Sequence, residues 1–177
     1  ENKKIKITTS KINSNIINVK SYECITDEKT LDKWLNILNK QSVIAVDTET
    51  SSLNPLEADL VGVSFSYASN KACYIPLAHK NIKGLKKKVV LKKIKPILED
   101  PSIKKVGQNI KFDFLILSQN NIEINPIEDT MLISYTLDAG TNRHNLDTLS
   151  EIHLNHKTIS YKELVGTGKN KLNFSDI

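Results

Sequence analysis

A short apolar run that ends in acidic residues constrains this sequence more than any other feature. Residues 42–46 (SVIAV) are rich in β-branched side chains, which is typical of a buried β-strand, and the string DTET follows at residues 47–50. Because residues two apart in a strand face the same side, Asp47 and Glu49 are predicted to direct two carboxylates at one point.

Two carboxylates at one point repel each other unless protons or a cation neutralise them. Carboxylate oxygens are the ligands that a hard cation such as Mg²⁺ or Mn²⁺ prefers. A polar strand end that frays into a loop would give the same pattern, so this spacing alone leaves both interpretations open.

A further candidate carboxylate, Asp113, lies in the predicted helix 109–118 between Phe112 and Phe114. An ionised carboxylate in such apolar surroundings needs a hydrogen-bonding partner or a metal ion. Taken alone, the residue is more typical of a satisfied structural Asp, or of a narrow polar stripe shared with Lys111.

The remaining pattern predicts strands that alternate with helices after an early meander. Thr26 is the predicted N-cap of the first helix, which should bury Trp34 and end near Lys40. Pro96 should kink the helix that begins at about residue 86, or start a new turn there. Residues after Tyr161 are predicted to form a loop. Strands are predicted at 19–25, 42–46, 60–67, 72–75, 104–106 and 124–127, and helices at 26–40, from about 86, at 109–118, 131–137 and 145–154.

Composition narrows the function classes only slightly. The net charge is +5, and lysines crowd residues 80–95, but such a run is more often a solvated helix face than a nucleic-acid contact. No apolar run approaches the ~20 residues of a membrane-spanning helix. Cys24 and Cys73 lack a CxxC spacing and are expected to be reduced thiols rather than zinc ligands or a disulfide.

Four strings in order add a resemblance to a known family. VDTETSSL, VGQNIKFDFLIL, DTMLISYTL and HKTISYKELVGTGKNKL resemble the 3′→5′ proofreading exonuclease domain of bacterial family A DNA polymerases, in the DEDD superfamily. The likeness runs from about Tyr22 to Ile177, and the last string favours this branch over ribonuclease D or the oligoribonucleases. It implies an α/β, ribonuclease H-like fold with a five-stranded mixed sheet flanked by helices. Residues 1–18 would be a linker or N-terminal arm, and 19–177 the exonuclease domain.

The resemblance also implies catalytic and metal-binding roles for the three carboxylates. Asp47 would bridge two Mg²⁺ or Mn²⁺ ions, Glu49 would hold one of them, and Asp113 would support the second largely through water. Two such ions, ~3.5–4 Å apart, can activate a water and stabilise the leaving 3′-oxygen.

Five residues would bind the substrate by the same resemblance. Thr48 and Leu53 would contact the terminal nucleotide, with Leu53 as an apolar wedge, and Asn109 would touch the backbone or sugar. Phe112, where relatives often carry Tyr, is expected to pack. Tyr161 would stack on a frayed base, a contact typically worth ~1–3 kcal/mol. For Leu53 and Tyr161, core packing is an equally open interpretation.

The implied partners are a single-stranded DNA 3′ end and the polymerase domain of the same parent chain. The domain would be a monomer without membrane contact, in the bacterial cytoplasm at the nucleoid, with an organelle left open. Two other functions stay in view, namely an inert structural module of a polymerase and an RNA-trimming exonuclease of the ribonuclease D type.

One family motif has no match in the sequence. The third motif is Tyr-x-x-x-Asp, or His-x-x-x-x-Asp in a sister branch, and no Tyr or His here has an Asp at that spacing. Asp176 is no substitute, because Leu172 stands in the place of the Tyr. We therefore expect the parent chain to continue past Ile177, and a chain ending there to have weak or absent activity.

Overall fold

A six-stranded mixed β-sheet organises the computed structural model, which describes residues 19–168 and 171–177. The linker predicted at residues 1–18 lies outside the described residues. The strands are β1 (Glu23–Cys24), β2 (Val43–Thr50), β3 (Leu60–Ala68), β4 (Lys71–Pro76), β5 (Lys104–Gly107) and β6 (Ile127–Asp129). Their order in the sheet is β1-β4-β3-β2-β5-β6.

The sheet combines an antiparallel centre with parallel edges. Strands β2, β3 and β4 form an antiparallel meander, whereas β1 pairs in parallel with β4, β5 with β2, and β6 with β5. The predicted mixed sheet is confirmed, but the count of five strands is wrong. That count came from the resemblance, whereas the local pattern had already indicated a strand at 19–25, where β1 forms over two residues that pair with Cys73 and Tyr74.

One helix precedes β2, and the other helices alternate with or follow the later strands. The helices are α1 (Glu28–Leu38), α2 (Lys87–Leu98), α3 (Lys111–Gln119), α4 (Thr130–Leu137), α5 (Leu146–Leu154) and α6 (Tyr161–Val165), with 3-10 turns at Val19–Ser21 and Phe174–Asp176. In the described part of the chain, no helix has the length and apolar character needed to cross a membrane.

Strand β2 continues through the acidic string instead of ending before it. Asp47 pairs with Ser64 and Glu49 with Gly62 of β3, so the hydrogen-bonded ladder runs on to Thr50. The prediction of a strand ending at Val46 was therefore too short. Polar residues extend the strand here because a neighbouring strand satisfies their backbone groups, whatever their side chains prefer.

Two helix boundaries differ from the sequence-based prediction because of local side-chain bonds. The N-cap of α1 is Asp27 rather than Thr26, since the Asp27 carboxylate accepts the Thr30 N–H at 2.9 Å. The predicted loop after Tyr161 is instead the helix α6, which begins with a capping box between Ser160 and Glu163.

Two prolines also mark differences from the prediction. Pro96 does not start a new turn, because α2 runs through it to Leu98, and a kink there stays a prediction. Near the C-terminal end of a helix, a missing N–H removes only one bond of the ladder. The last strand lies at Ile127–Asp129 rather than 124–127, because Pro126 has no N–H to offer the ladder.

A single apolar cluster joins α1, α2 and α3 to the sheet. Trp34 is buried in it as predicted, and Ile94 of α2 is fully buried near its centre. Cys73 is buried and Cys24 exposed, and both are free thiols, as expected. The helices therefore pack against the sheet whose strand β2 carries Asp47 and Glu49.

Truncating a core residue of α2 should destabilise the whole domain. We expect Ile94→Ala to lower the free energy of unfolding by about 2–5 kcal/mol, since the side chain is fully buried and leaves a cavity. Lys92→Ala, on the outer face of the same helix, should change it by less than about 0.5 kcal/mol. Urea denaturation of both variants measures the difference, and equal effects would contradict this packing.

Candidate active site

Alternation along β2 places two carboxylates on the open face of the sheet. Ile44, Val46 and Thr48 are buried, whereas Asp47 is exposed and Glu49 half-buried. The shared orientation of Asp47 and Glu49 that the spacing predicted is thus present in the strand.

The third carboxylate, Asp113, comes from the first turn of α3 and is fastened to β2. Its Oδ1 accepts the Thr48 N–H at 2.7 Å and the Thr48 hydroxyl at 2.6 Å, and only 3% of the residue is exposed. These bonds satisfy a carboxylate that would be costly to bury alone. They also bring two segments 65 residues apart into direct contact.

Burial raises the pKa of all three carboxyl groups, and neighbouring acidic charges add to the effect. Although the residue reaches the surface, partial burial of its carboxyl group, and then the charge of Asp113, raises the pKa of Asp47 to about 6. Burial, and then the charges of Asp47 and Asp113, raises the pKa of Glu49 to about 7. Burial raises the pKa of Asp113 against the opposing effect of the Thr48 hydrogen bonds. The three groups are therefore close enough for their charges to act on one another.

No protein cation relieves this repulsion in the described residues. Every ion pair found in 19–168 and 171–177 lies elsewhere, and Asp176 is paired with Lys80 at 2.5 Å. Unpaired, partly desolvated carboxylates with raised pKa values are typical of sites that bind a hard cation. The donor set thus fits Mg²⁺ or Mn²⁺ chemically.

The geometry is nevertheless not that of a closed metal cage. Within the described ranges, no three His, Cys, Asp or Glu side chains are arranged so that they could hold an ion together. The reason is that Oδ1 of Asp113 is turned toward Thr48, while Asp47 and Glu49 face the open side. Direct ligation is left to the two β2 carboxylates, and Asp113 could act on an ion through water.

The predicted substrate-binding residues differ in their surroundings. Leu53 is 90% exposed in the loop after β2, so the core-packing interpretation is wrong for it. Phe112 packs against the core, as expected. The Thr48 hydroxyl and N–H are both used by Asp113, so a nucleotide contact would have to be made without them. Asn109 precedes α3 in a left-handed conformation, with φ 57°.

Tyr161 lies on the surface but has an aromatic partner. Its ring is 47% exposed and stacks on Phe174 with centroids 6.4 Å apart and an interplanar angle of 10°. The Lys171 ammonium lies 5.3 Å from the Tyr161 ring centroid. A stacking role toward a base remains a prediction, and one face of the ring is already covered.

Two residues near the carboxylates were not identified as site residues from the sequence. Asp129, predicted only as a helix cap, does cap α4 and also accepts the Asn109 N–H at 2.9 Å, which fixes the turn before α3. Tyr74 of β4 lies over Gly62, the partner of Glu49, with its hydroxyl 1.9 Å from where a Gly62 Cβ would be. Neither contact has a signal in the sequence, because both depend on strand register.

Comparison with known proteins agrees with this arrangement. A family model described as 3′-5′ exonuclease matches residues 22–176. The chain is 41% identical over 174 residues to DNA polymerase I of Rhizobium leguminosarum, covering 87% of this chain and 17% of that protein. It is 39% identical over 162 residues to DNA polymerase I of Pseudomonas aeruginosa, covering 88% and 18%. It thus spans less than a fifth of the length of these relatives.

Solved structures share the fold. Escherichia coli RNase D, described as an exoribonuclease involved in structured RNA processing, superposes with a TM-score of 0.62 at 19% identity, over 80% of this chain and 35% of that one. Brucella melitensis NrnC with bound Mg²⁺ superposes with a TM-score of 0.58 at 23% identity, over 84% and 68%. These likenesses confirm the predicted ribonuclease H-like fold.

The raised pKa values of the β2 carboxyl groups predict a pH-dependent stability. In the absence of divalent ions, we expect the free energy of unfolding to fall as the pH rises from 3.8 to about 6 through Asp47, and from 4.5 to about 7 through Glu49. In these windows the unfolded chain has already lost protons that the folded chain still holds. Because water reaches Asp47, Glu49 should contribute more.

Urea denaturation in EDTA at pH 4.5 and 7.5 measures this effect. The double variant Asp47→Asn, Glu49→Gln is the control, since it keeps every other titrating group. Its loss of stability between the two pH values should be clearly smaller than that of the wild type. An equal loss in both proteins would show that these carboxyl groups are not perturbed.

Proposed function

Since this chain belongs to the 3′-5′ exonuclease family and is related to DNA polymerase I, we propose that it is a metal-dependent nuclease domain that hydrolyses the terminal phosphodiester of single-stranded or frayed DNA 3′ ends. The observation that carries the proposal is the group of three carboxyl groups, Asp47, Glu49 and Asp113, whose pKa values are all raised while no cation of the described residues pairs with them. An anionic substrate cannot approach such a group unless cations are bound there first.

The β2 carboxylates would bind Mg²⁺ or Mn²⁺ directly. Asp47 and Glu49 face the open side of the sheet, where an incoming phosphate has access. Bound ions would supply two things the protein lacks, a water activated for attack and a positive charge near the leaving 3′-oxygen. The strand holds both carboxylates in place through its ladder with β3, so little reorganisation is needed on binding.

Asp113 would contact the ions through a water molecule rather than directly. Thr48 donates two hydrogen bonds to one of its oxygens, which leaves the other oxygen for a water bound to an ion. The same bonds set the distance between α3 and β2. Thr48 therefore serves as a positioning residue for Asp113 in this proposal, in addition to its predicted place near the terminal nucleotide.

Groups around the carboxylates would hold the 3′ end without reading its sequence. Leu53 projects from the loop that follows β2 and is 90% exposed. Its side chain is therefore free to act as an apolar wedge beside a base. Asn109, held by Asp129, would contact the backbone or sugar. Tyr161 would offer the ring face that Phe174 does not cover.

The biological role proposed for the domain is proofreading within a polymerase. Its matched relatives are DNA polymerase I chains more than five times as long as the matched region. Residues 19–177 would form the exonuclease domain of such a chain, and a polymerase domain would supply mispaired 3′ ends. An inert structural module is disfavoured, because a module without catalysis has no need to keep three repelling carboxylates together.

Replacing the first β2 carboxylate should abolish cleavage without unfolding the protein. We expect Asp47→Asn to lower the rate of 3′-end removal from single-stranded DNA by at least about 100-fold in Mg²⁺ or Mn²⁺, since even indirect metal partners typically cost 10–100-fold. Protein in excess of 3′-labelled DNA lets weak turnover be measured on a gel, and EDTA should abolish it.

Asp138→Asn is the matched control, because Asp138 is an exposed carboxylate at the end of α4. It should cleave at the wild-type rate. Cleavage by Asp47→Asn at that same rate would rule out this site. A wild-type chain that folds but binds neither Mn²⁺ nor DNA would favour the inert module.

Substrate choice separates the proposal from an RNA-trimming enzyme. We expect a single-stranded DNA oligonucleotide to be shortened from its 3′ end faster than an RNA of the same sequence, with both in Mn²⁺. The comparison is a competition between the two labelled strands in one reaction. Faster shortening of RNA would favour the ribonuclease D type of activity over proofreading.

A further inference from the structure

A tyrosine and a histidine on the carboxylate side of the sheet form a hydrogen-bonded pair with no role in the proposal so far. The Tyr74 hydroxyl at the end of β4 lies 2.6 Å from Nε2 of His79. The two rings meet edge to face, with centroids 5.6 Å apart and an interplanar angle of 81°. Both hydrogen bonding and ring packing therefore fix the pair.

The pair points toward the turn formed by residues 174–177. Nδ1 of His79 lies 3.0 Å from the carbonyl oxygen of Ile177. A carbonyl oxygen can only accept, so Nδ1 must carry the hydrogen, and in the neutral ring Nε2 must then accept from the Tyr74 hydroxyl. The result is a directed chain from Tyr74 through His79 to Ile177.

Neighbouring contacts attach the same turn at further points. The Lys80 N–H donates to the Ser175 carbonyl at 2.9 Å, and the Lys80 ammonium pairs with Asp176 at 2.5 Å. The His79 ring also lies 5.9 Å from the Phe174 ring. Residues 79 and 80 thus hold every residue of the 174–177 turn.

Strand register places this attachment beside the acidic site. Gly62 of β3 pairs with Glu49 on one side and with Pro76 on the other. A Cβ at Gly62 would lie 1.9 Å from the Tyr74 hydroxyl oxygen, so the hydroxyl lies directly over this glycine. Burial, and then the charge of Glu49, raises the pKa of Tyr74, which agrees with this closeness.

We propose that Tyr74 and His79 are positioning residues that fasten the 174–177 turn against the carboxylate face beside Glu49, where the turn forms a fixed wall of the active site. The proposal rests on the nuclease function proposed above. A wall of this kind sets the orientation of a bound 3′ end more than its affinity. Loosening it should therefore slow the chemical step and change DNA binding little.

Tyr74→Phe removes the hydroxyl and keeps the ring, and His79→Phe removes both hydrogen bonds of the imidazole and keeps its aromatic contacts. In the wild type, amide hydrogen exchange at Lys80 reports the bond to Ser175, and the ¹⁵N spectrum of His79 reports the Nδ1–H tautomer.

We expect each variant to speed exchange at Lys80 about tenfold while the melting temperature stays within a few degrees. In Tyr74→Phe the His79 ring should also become a mixture of tautomers.

On single-stranded DNA, kcat should fall about tenfold in each variant, with KM within about twofold of the wild type. Tyr135→Phe is the matched control. Tyr135 also packs edge to face on a histidine, with its ring centroid 5.4 Å from that of His144, but it lies on α4, away from the 174–177 turn. It should leave Lys80 exchange and kcat unchanged.

Unchanged Lys80 exchange in both variants would overturn the proposal, as would faster exchange with kcat unaltered. A fall in kcat that follows a general loss of melting temperature would also overturn it, because the effect would then be structural. If the wild type cleaves no DNA and binds neither Mn²⁺ nor DNA, the proposed function fails, and Lys80 exchange with the His79 tautomer then decides alone whether the pair fastens the turn.

Discussion

The two hydrogen bonds from Thr48 to Asp113 are the contact on which the site depends. They join the central strand to the helix after β5, and they compensate the burial of a carboxylate that is only 3% exposed. Removing the acceptor would leave two buried donors without a partner. Removing the donors would leave a buried anion. The interaction thus couples the stability of the fold to the presence of an acidic residue at this position.

Side chains of β2 alternate between the two faces of the sheet, so that one set packs in the core and the other forms the candidate site. One face of β2 holds Ile44, Val46 and Thr48 against the helices, and the other directs Asp47 and Glu49 outward. Burial, and then the charges of nearby carboxylates, raises the pKa values of these groups, and a bound cation would relieve this cost. The carboxylates therefore destabilise the protein without a cation and would be stabilised by one. That difference is expected of a site that serves to bind a cation.

The sequence could predict what depends on local pattern. The period of two gave the common face of Asp47 and Glu49, whereas Asp113, which alone was more typical of a structural Asp, became a candidate only through the resemblance. What it could not give depends on contacts between distant segments. The extension of β2 through its acidic residues requires β3 as a partner, and the short length of β1, predicted as a longer strand at 19–25, is set by its pairing with the edge of β4. The position of Tyr74 over Gly62 is likewise a matter of register, which no single segment contains.

The fold and the carboxylates alone do not choose between DNA and RNA. The structures that superpose on this chain include an exoribonuclease, E. coli RNase D, as well as NrnC solved with Mg²⁺, and phosphodiester hydrolysis needs the same cations in either case. Selection must therefore come from groups around the carboxylates that contact sugar and base. The groups proposed for this are Leu53, which is 90% exposed, and Tyr161, whose ring stacks on Phe174 and has the Lys171 ammonium near it. Leu53 and Tyr161 could contact only a strand whose last bases are unstacked. In a duplex, the ring face of a base is covered by its neighbours and its pairing edge by the opposite base. A preference for frayed ends would thus follow from the shape of these two contacts, with no need to read a sequence.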